Sequence, residues 1–166
     1  FSSKPGSKNA WLLSPQEIEN QVQEAIPLGI DEVHIVGGLW PTCSLDYYEE
    51  VIQRIRSIAP HVFIKALTAV ECHYLSTLHS IGIDDVLLCL KQAGVNSLTG
   101  GGAEILNDDI RKKITPQKIS SQEYLDIHER AHTLGLRSNI TMLFGHIEEP
   151  LHIIQLPDKI RRFWTP

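Results

Sequence analysis

Apolar positions along the chain alternate between two periods. Ser14-Pro15-Gln16-Glu17 reads as a capping box with proline at the first helical position. Ile18, Val22, Ala25 and Ile26 follow at helical spacing. Gly29 punctuates, and Val33 to Val36 reads as a buried strand running into Gly37-Gly38. Tyr48, Val51, Ile52, Ile55 and Ile58 mark one face of a second helix, which Pro60 stops before a strand from Val62 to Ala66. Helical stretches near Glu71–Ser80 and Asp84–Ala93 come next, the latter closed by Gly94. Val95–Leu98 predicts a third strand, followed by Gly100-Gly101-Gly102. Ser120-Ser121-Gln122-Glu123 is a second capping box, opening a helix that carries Tyr124, Ile127, Ala131 and Leu134 on one face. Gly135 ends it, and Ser138–Phe144 predicts a fourth strand; beyond Pro150 the pattern is weak.

One grammar recurs: helix, glycine, strand, then a loop bearing polar side chains. Such repetition implies α/β architecture with parallel strands joined by helix crossovers. A doubly wound sheet and a (β/α)₈ barrel both satisfy it. Three of the four predicted strands run into glycine-bearing loops at their C-terminal ends, where barrel enzymes place their sites. Four strands cannot close a barrel, which takes about 250 residues, so the expectation is a partial TIM-type barrel.

Composition narrows the classes. The 42% hydrophobic and 21% charged content is that of a soluble globular domain. A net charge of -5 supplies no basic footprint for nucleic acid. No apolar run approaches the roughly 20 residues of a membrane span. Cys43, Cys72 and Cys89 are odd in number and far apart, with no CxxC or CxxxCxxC spacing, which predicts reduced thiols in a cytoplasmic protein. The opening at Phe1 rather than Met is the expectation for a truncated or processed product.

Candidate chemistry lies in the loops. Gly37-Gly38-Leu39-Trp40-Pro41 lets a ligand approach the main chain closely, or makes a tight turn. Lys65 to Glu71 puts a cation, a hydroxyl (Thr68) and a carboxylate at one strand end. Gly100-Gly101-Gly102-Ala103-Glu104 is neither GxGxxG nor a P-loop, which disfavours nucleoside triphosphates. Three successive glycines cost backbone entropy on folding and favour close packing against a ligand. Glu104 could accept from ribose hydroxyls, and Arg111 could hold a carboxylate bidentately. His128-Glu129-Arg130-Ala131-His132 matches HExxH, with both imidazoles on one helix face and Glu148 downstream as a third ligand. That zinc-hydrolase reading competes with burial of His128 beside Tyr124 and Ala131 in a crossover helix outside the strand ends.

Taken together, several strings resemble aminofutalosine synthase. They are His34 to Leu39 with Pro41, Ile64-Lys65-Ala66 with Thr68-Ala69-Val70-Glu71, and Ser97-Leu98 with Gly100 to Ile105. Further on come Arg111 to Ile114 with Pro116 and Lys118, Ala131-His132 with Leu134-Gly135, and Thr141-Met142-Leu143 with Gly145 to Glu148. The likeness runs in order and spacing from about Phe1 to Glu149. It implies a radical S-adenosylmethionine (SAM) barrel, with residues 1–150 as its central portion and 151–166 as a divergent tail. Cyclic dehypoxanthine futalosine synthase and deazaflavin-precursor synthases share the barrel, but the Lys-Ala-x-Thr-Ala-Val-Glu wording favours aminofutalosine synthase.

The resemblance implies that a [4Fe-4S] cluster on three cysteines reduces SAM to a 5′-deoxyadenosyl radical. The radical adds to 3-[(1-carboxyvinyl)oxy]benzoate, and rearrangement with loss of the carboxyl carbon gives 6-amino-6-deoxyfutalosine in menaquinone biosynthesis. A flavodoxin or ferredoxin would supply electrons. Gly37, Gly38 and Pro41 then correspond to the loop receiving the SAM amino group, Glu104 to the ribose region, and Arg111 to the methionine carboxylate. Leu143, Gly145 and Glu148 match a GxIxGxxE pattern near adenine, with Thr141 replacing its first glycine. Lys65, Thr68, Glu71 and His146 are the expected contacts to the benzoate substrate, while no catalytic residue is assigned. The chain departs from the family in lacking CxxxCxxC, expected upstream of Phe1, and in carrying Trp40 for His and Thr99 for Pro. The polypeptide by itself is therefore expected to build no cluster and to be inactive, and a non-catalytic remnant stays open as an alternative.

Overall fold

A computed structural model describes residues 7, 8 and 10–161. The strands are β1 (Glu32–Ile35), β2 (Phe63–Thr68), β3 (Ser97–Thr99) and β4 (Arg137–Ser138). They pair in parallel in the order β1-β2-β3-β4. Each new strand joins the edge formed by its predecessor, with none of the order reversal of a doubly wound sheet. The chain is an α/β domain forming part of a TIM-type barrel. Its helices are α1 (Pro15–Ala25), α2 (Leu45–Ile58), α3 (Ala69–His79), α4 (Ile83–Ala93), α5 (Asp108–Ile114), α6 (Ser121–Thr133) and α7 (Pro150–Arg161).

The capping boxes form as the sequence dictates. Ser14 Oγ accepts from Glu17 N and Ser120 Oγ from Glu123 N, with each glutamate returning to its cap residue. Residues 48, 51, 52 and 55 of α2 are buried on one face. They pack with Ile64, Ala66 and Leu98, all fully buried, and with Leu75, Leu87, Leu90 and Tyr124 from the helical layer. Each such side chain contributes about 1.5–3 kcal/mol of burial free energy. On β1 and β2, by contrast, Glu32 and His34 are exposed and Lys65 lies 3.5 Å from Glu32.

At the N-terminal ends of the strands Arg56 acts as a lock. Its guanidinium donates to Gly94 O at 2.6 and 3.0 Å, to Val62 O at 2.6 Å, to Pro60 O at 3.2 Å and to Asn96 Oδ1. An open cleft of about 660 Å³ lies here, lined among others by Arg56, His61, Lys91 and Arg137. Arg56 has its donors on protein acceptors and Lys91 reaches Leu134 O, so these two cations are already engaged within the protein.

The structure corrects three boundaries. The fourth strand, expected over 138–144, ends at Ser138. Its neighbour β3 gives way to the glycine run, so the ladder has no partner; Thr141 N instead donates to Gly100 O at 3.2 Å and Leu143 N to Glu104 O at 2.8 Å. The weak segment beyond Pro150 is helix α7, led by proline at its first position. Finally, β2 carries a register irregularity: Lys65 opposes Ser97 and Thr68 opposes Thr99, three residues' advance against two. Leu67, fully buried at φ 61, absorbs the extra residue.

Candidate functional site

The C-terminal ends of the four strands are laced into one rim. Past β1, Gly37 N donates to Glu71 Oε1 at 2.7 Å, while Thr68 N, at the end of β2, donates to Glu71 Oε2 at 2.7 Å. Thr68 Oγ1 accepts from Glu71 N at 3.1 Å, so Thr68-Ala69-Val70-Glu71 is a capping box for α3. A Cβ added to Gly101 would stand 3.1 Å from Thr68 Cγ2, which brings the third tip against the second. One added to Gly100 would lie 2.5 Å from Asn139 O, just past β4.

The glycine run is moulded from behind. Gly100 O accepts from Tyr124 Oη at 2.9 Å and from Thr141 Oγ1 at 2.9 Å. Gly102 has φ +90 and Glu104 has φ 46, both left-handed. Arg111 holds this curve: Nη1 donates to Gly102 O at 3.1 Å and to Ala103 O, and Nη2 to Ile119 O at 2.6 Å. Burial pulls the Arg111 pKa down, opposed by Glu104 and Asp108. Glu104 Oε1 is paired with Lys118 Nζ.

These contacts engage two of the expected residues within the protein. Arg111 is 3% exposed and its terminal nitrogens serve main-chain carbonyls, so in this arrangement it shapes the glycine-run loop. Glu71 is 6% exposed with both oxygens taken by amides, which removes it from the open polar surface expected of a substrate contact.

The remaining predicted residues fall in three places. Gly38 has nothing within 4 Å of an added Cβ, and Pro41 occupies the turn that Cys43 N closes onto Trp40 O at 3.1 Å. Leu143 is bonded to Glu104 through its main chain and leaves its side chain half exposed. Gly145 (φ +95), His146 and Glu148 form a turn of their own: the Glu148 carboxylate accepts from Gly145 N, from His146 N at 3.1 Å and faces His146 Nδ1 at 2.6 Å. Those amides, with His146 beside them, hold Glu148 down at about 2. Lys65 lies on the exposed face next to Glu32, with Thr68 capping α3.

Sequence reasoning missed Thr99, Asn139, Tyr124 and Lys118. Thr99 Oγ1, Glu104 Oε2, Arg111 Nε and Asn139 Oδ1 are buried without a hydrogen-bond partner. Arg111 Nε has only Asp108 Oδ1 at 3.9 Å. Buried polar atoms left unpaired cost about 1–3 kcal/mol each, and these four belong to segments at or behind the C-terminal ends of the strands. Their positions beside a glycine run were the available signal.

The zinc-protease pattern sits elsewhere. His128 is 3% exposed on α6, its ring 4.4 Å from that of Tyr124, and its pKa is lowered to about 4 chiefly by burial, then by His132. His132 Nε2 is 2.8 Å from Ser138 Oγ. Among the described residues no three His, Cys, Asp or Glu side chains converge to hold a metal. The cysteines are separate, with Cys43 and Cys72 raised by burial and Cys89 pushed up to about 11 by burial and Glu49, so they do not fit an iron–sulfur cluster. No described helix is long and apolar enough to cross a membrane.

The sequence matches the description of the radical SAM superfamily over residues 1–156. The chain belongs to the radical SAM superfamily. Within it, this radical SAM chain is 36% identical over 162 residues to aminodeoxyfutalosine synthase of Thermus thermophilus, covering 98% of this chain and 44% of the relative. It is 38% identical over 152 residues to aminodeoxyfutalosine synthase of Streptomyces coelicolor, covering 92% and 39%. A 5-amino-6-(D-ribitylamino)uracil–L-tyrosine 4-hydroxyphenyl transferase of Methanosarcina acetivorans is 40% identical over 138 residues, covering 83% and 36%. The radical SAM chain thus spans less than half the length of these relatives.

Proposed function

We propose that this chain carries much of the SAM site of a cytoplasmic aminodeoxyfutalosine synthase, which joins the adenosyl part of SAM to 3-[(1-carboxyvinyl)oxy]benzoate with release of methionine and, after rearrangement, loss of the carboxyl carbon, to give 6-amino-6-deoxyfutalosine for menaquinone biosynthesis. The observation that carries the reading is the meeting of glycine-bearing strand tips at one rim, in a chain 36% and 38% identical to two aminodeoxyfutalosine synthases. Gly37, Gly38 and Pro41 receive the ammonium through main-chain acceptors. Glu104, at φ 46 beside the glycine run, lies on the ribose side. Leu143, Gly145 and Glu148 border the adenine, while Lys65, Thr68 and His146 face the benzoate. Their work is to orient the adenosyl carbon against the alkene and to keep water and other quenchers away.

When bound, a [4Fe-4S] cluster supplies the electron that opens SAM. None of the described residues suits it, so its cysteine ligands are assigned to sequence outside them and its electrons to a flavodoxin- or ferredoxin-type donor. The identity to the 4-hydroxyphenyl transferase favours a second reading, in which the same rim serves a tyrosine-derived radical reaction.

The deciding experiment uses the product of the complete reading frame, reconstituted anaerobically with iron, sulfide and SAM. Mass spectrometry after incubation with 3-[(1-carboxyvinyl)oxy]benzoate should show 6-amino-6-deoxyfutalosine. Product from tyrosine with 5-amino-6-(D-ribitylamino)uracil instead would select the second reading, and absence of SAM binding would sink both.

A further inference from the structure

The Glu71 carboxylate bridges two strand tips: one oxygen takes the amide of Gly37 and the other that of Thr68, both at 2.7 Å, in a site only 6% exposed. We infer that Glu71 is a positioning residue for the SAM-binding glycine loop, acting through the Val36–Gly37 peptide rather than touching ligand. This rests on the SAM reading above.

Three observations converge. First, a trans peptide aims its C=O opposite to its N–H. Fixing Gly37 N–H on Glu71 therefore also fixes the direction of the Val36 carbonyl, an acceptor at the loop proposed to receive an ammonium. Second, the position is crowded: an added Cβ would stand 2.7 Å from Tyr48 Oη, which would have to shift, and 3.5 Å from Glu71 Oε1. Burial raises the Tyr48 pKa, with the Glu71 charge adding to it, so the phenol stays protonated beside the carboxylate. Third, the next glycine is unlike it, because Gly38 has open space where a side chain would be. One glycine is clamped and its neighbour left clear. Because the clamp is also the return half of the α3 capping box, loop direction and helix start are set by a single side chain.

The test compares wild type with Glu71→Gln and Glu71→Ala, and with Ser120→Ala as a remote control that removes an equivalent cap from α6. In the product of the complete reading frame, hydrogen exchange at the Gly37 amide, read by NMR, should accelerate about tenfold or more in Glu71→Ala and less in Glu71→Gln, which keeps one acceptor. Ser120→Ala should leave it unchanged. In the product of the complete reading frame, the Kd for SAM should rise about tenfold in Glu71→Ala, with Glu71→Gln between, while Ser120→Ala lowers Tm similarly and keeps wild-type affinity. If Glu71→Ala does not fold, Glu71→Gln alone decides, through its exchange and Kd against the same control. Unchanged Gly37 exchange overturns the clamp. Faster exchange with unchanged Kd makes Glu71 a purely structural tie and overturns its positioning role. Wild type that binds no SAM refutes the underlying reading instead, a result the exchange data alone could not produce.

Discussion

The two ends of the sheet are each organised by a buried or half-buried arginine, and the contrast between them separates scaffold from site. Arg56 at the N-terminal ends places Nε, Nη1 and Nη2 all on protein acceptors. Arg111 at the C-terminal ends curves a glycine run and leaves its own Nε without a hydrogen bond, 3.9 Å from Asp108 Oδ1. One arginine ties finished strand ends together; the other sets the curve of a loop.

The largest effect should come from removing the arginine at that end. Arg111→Met should cost about 4 kcal/mol, since buried carbonyls of a left-handed loop lose a charged donor, whereas Arg56→Met should cost about 2 kcal/mol because water reaches its carbonyls. Urea midpoints of the two variants decide, and equal losses would erase the distinction between the ends. Next, His128 shows what unpaired atoms do away from the rim. Its ring stays neutral in the fold down to about pH 4, against 6.5 ordinarily, so the unfolded chain binds the extra proton between those values. Stability present above pH 6.5 is therefore lost as pH falls toward 4, by about 3 kcal/mol, and His128→Leu should flatten that slope in urea titrations at pH 7, 5 and 4. The smallest effects separate two glycines. Gly100→Ala drives a Cβ to 2.5 Å from Asn139 O and should cost about 2 kcal/mol. Gly38→Ala meets nothing and should change stability by less than about 0.5 kcal/mol while weakening SAM binding.

Much of the frame is legible in the residues. Capping boxes at Ser14 and Ser120 begin helices where the sequence places them, and the Gly37-Gly38 and Gly100–Gly102 runs follow strands as expected. What escapes is the use of side chains across the sheet. Glu71 reads as an exposed carboxylate in a polar loop, although Thr-x-x-Glu is itself a capping signature; only the fold brings Gly37, 34 residues away, onto its other oxygen. Arg111 reads as a ligand fork for the same reason: a sequence lists donors but cannot say which carbonyls they will meet. The overlong fourth strand fails because strand length depends on the neighbour, and β3 ends at Thr99. Helix α7 is obscured by Pro157, which argues locally against the helix that Pro150 starts.

The extra residue at Leu67 has a consequence for how this family can vary. Side chains along a strand flip sides at every step, so Lys65 and Thr68 would ordinarily look in opposite directions. Absorbing one residue between them puts both in phase with Ser97 and Thr99, which are two apart. Deleting a single codon here would invert the parity of everything downstream in β2, turning Thr68 and the start of α3 away from the rim. Insertions and deletions should therefore be tolerated in the outer loops long before they are tolerated at this one position.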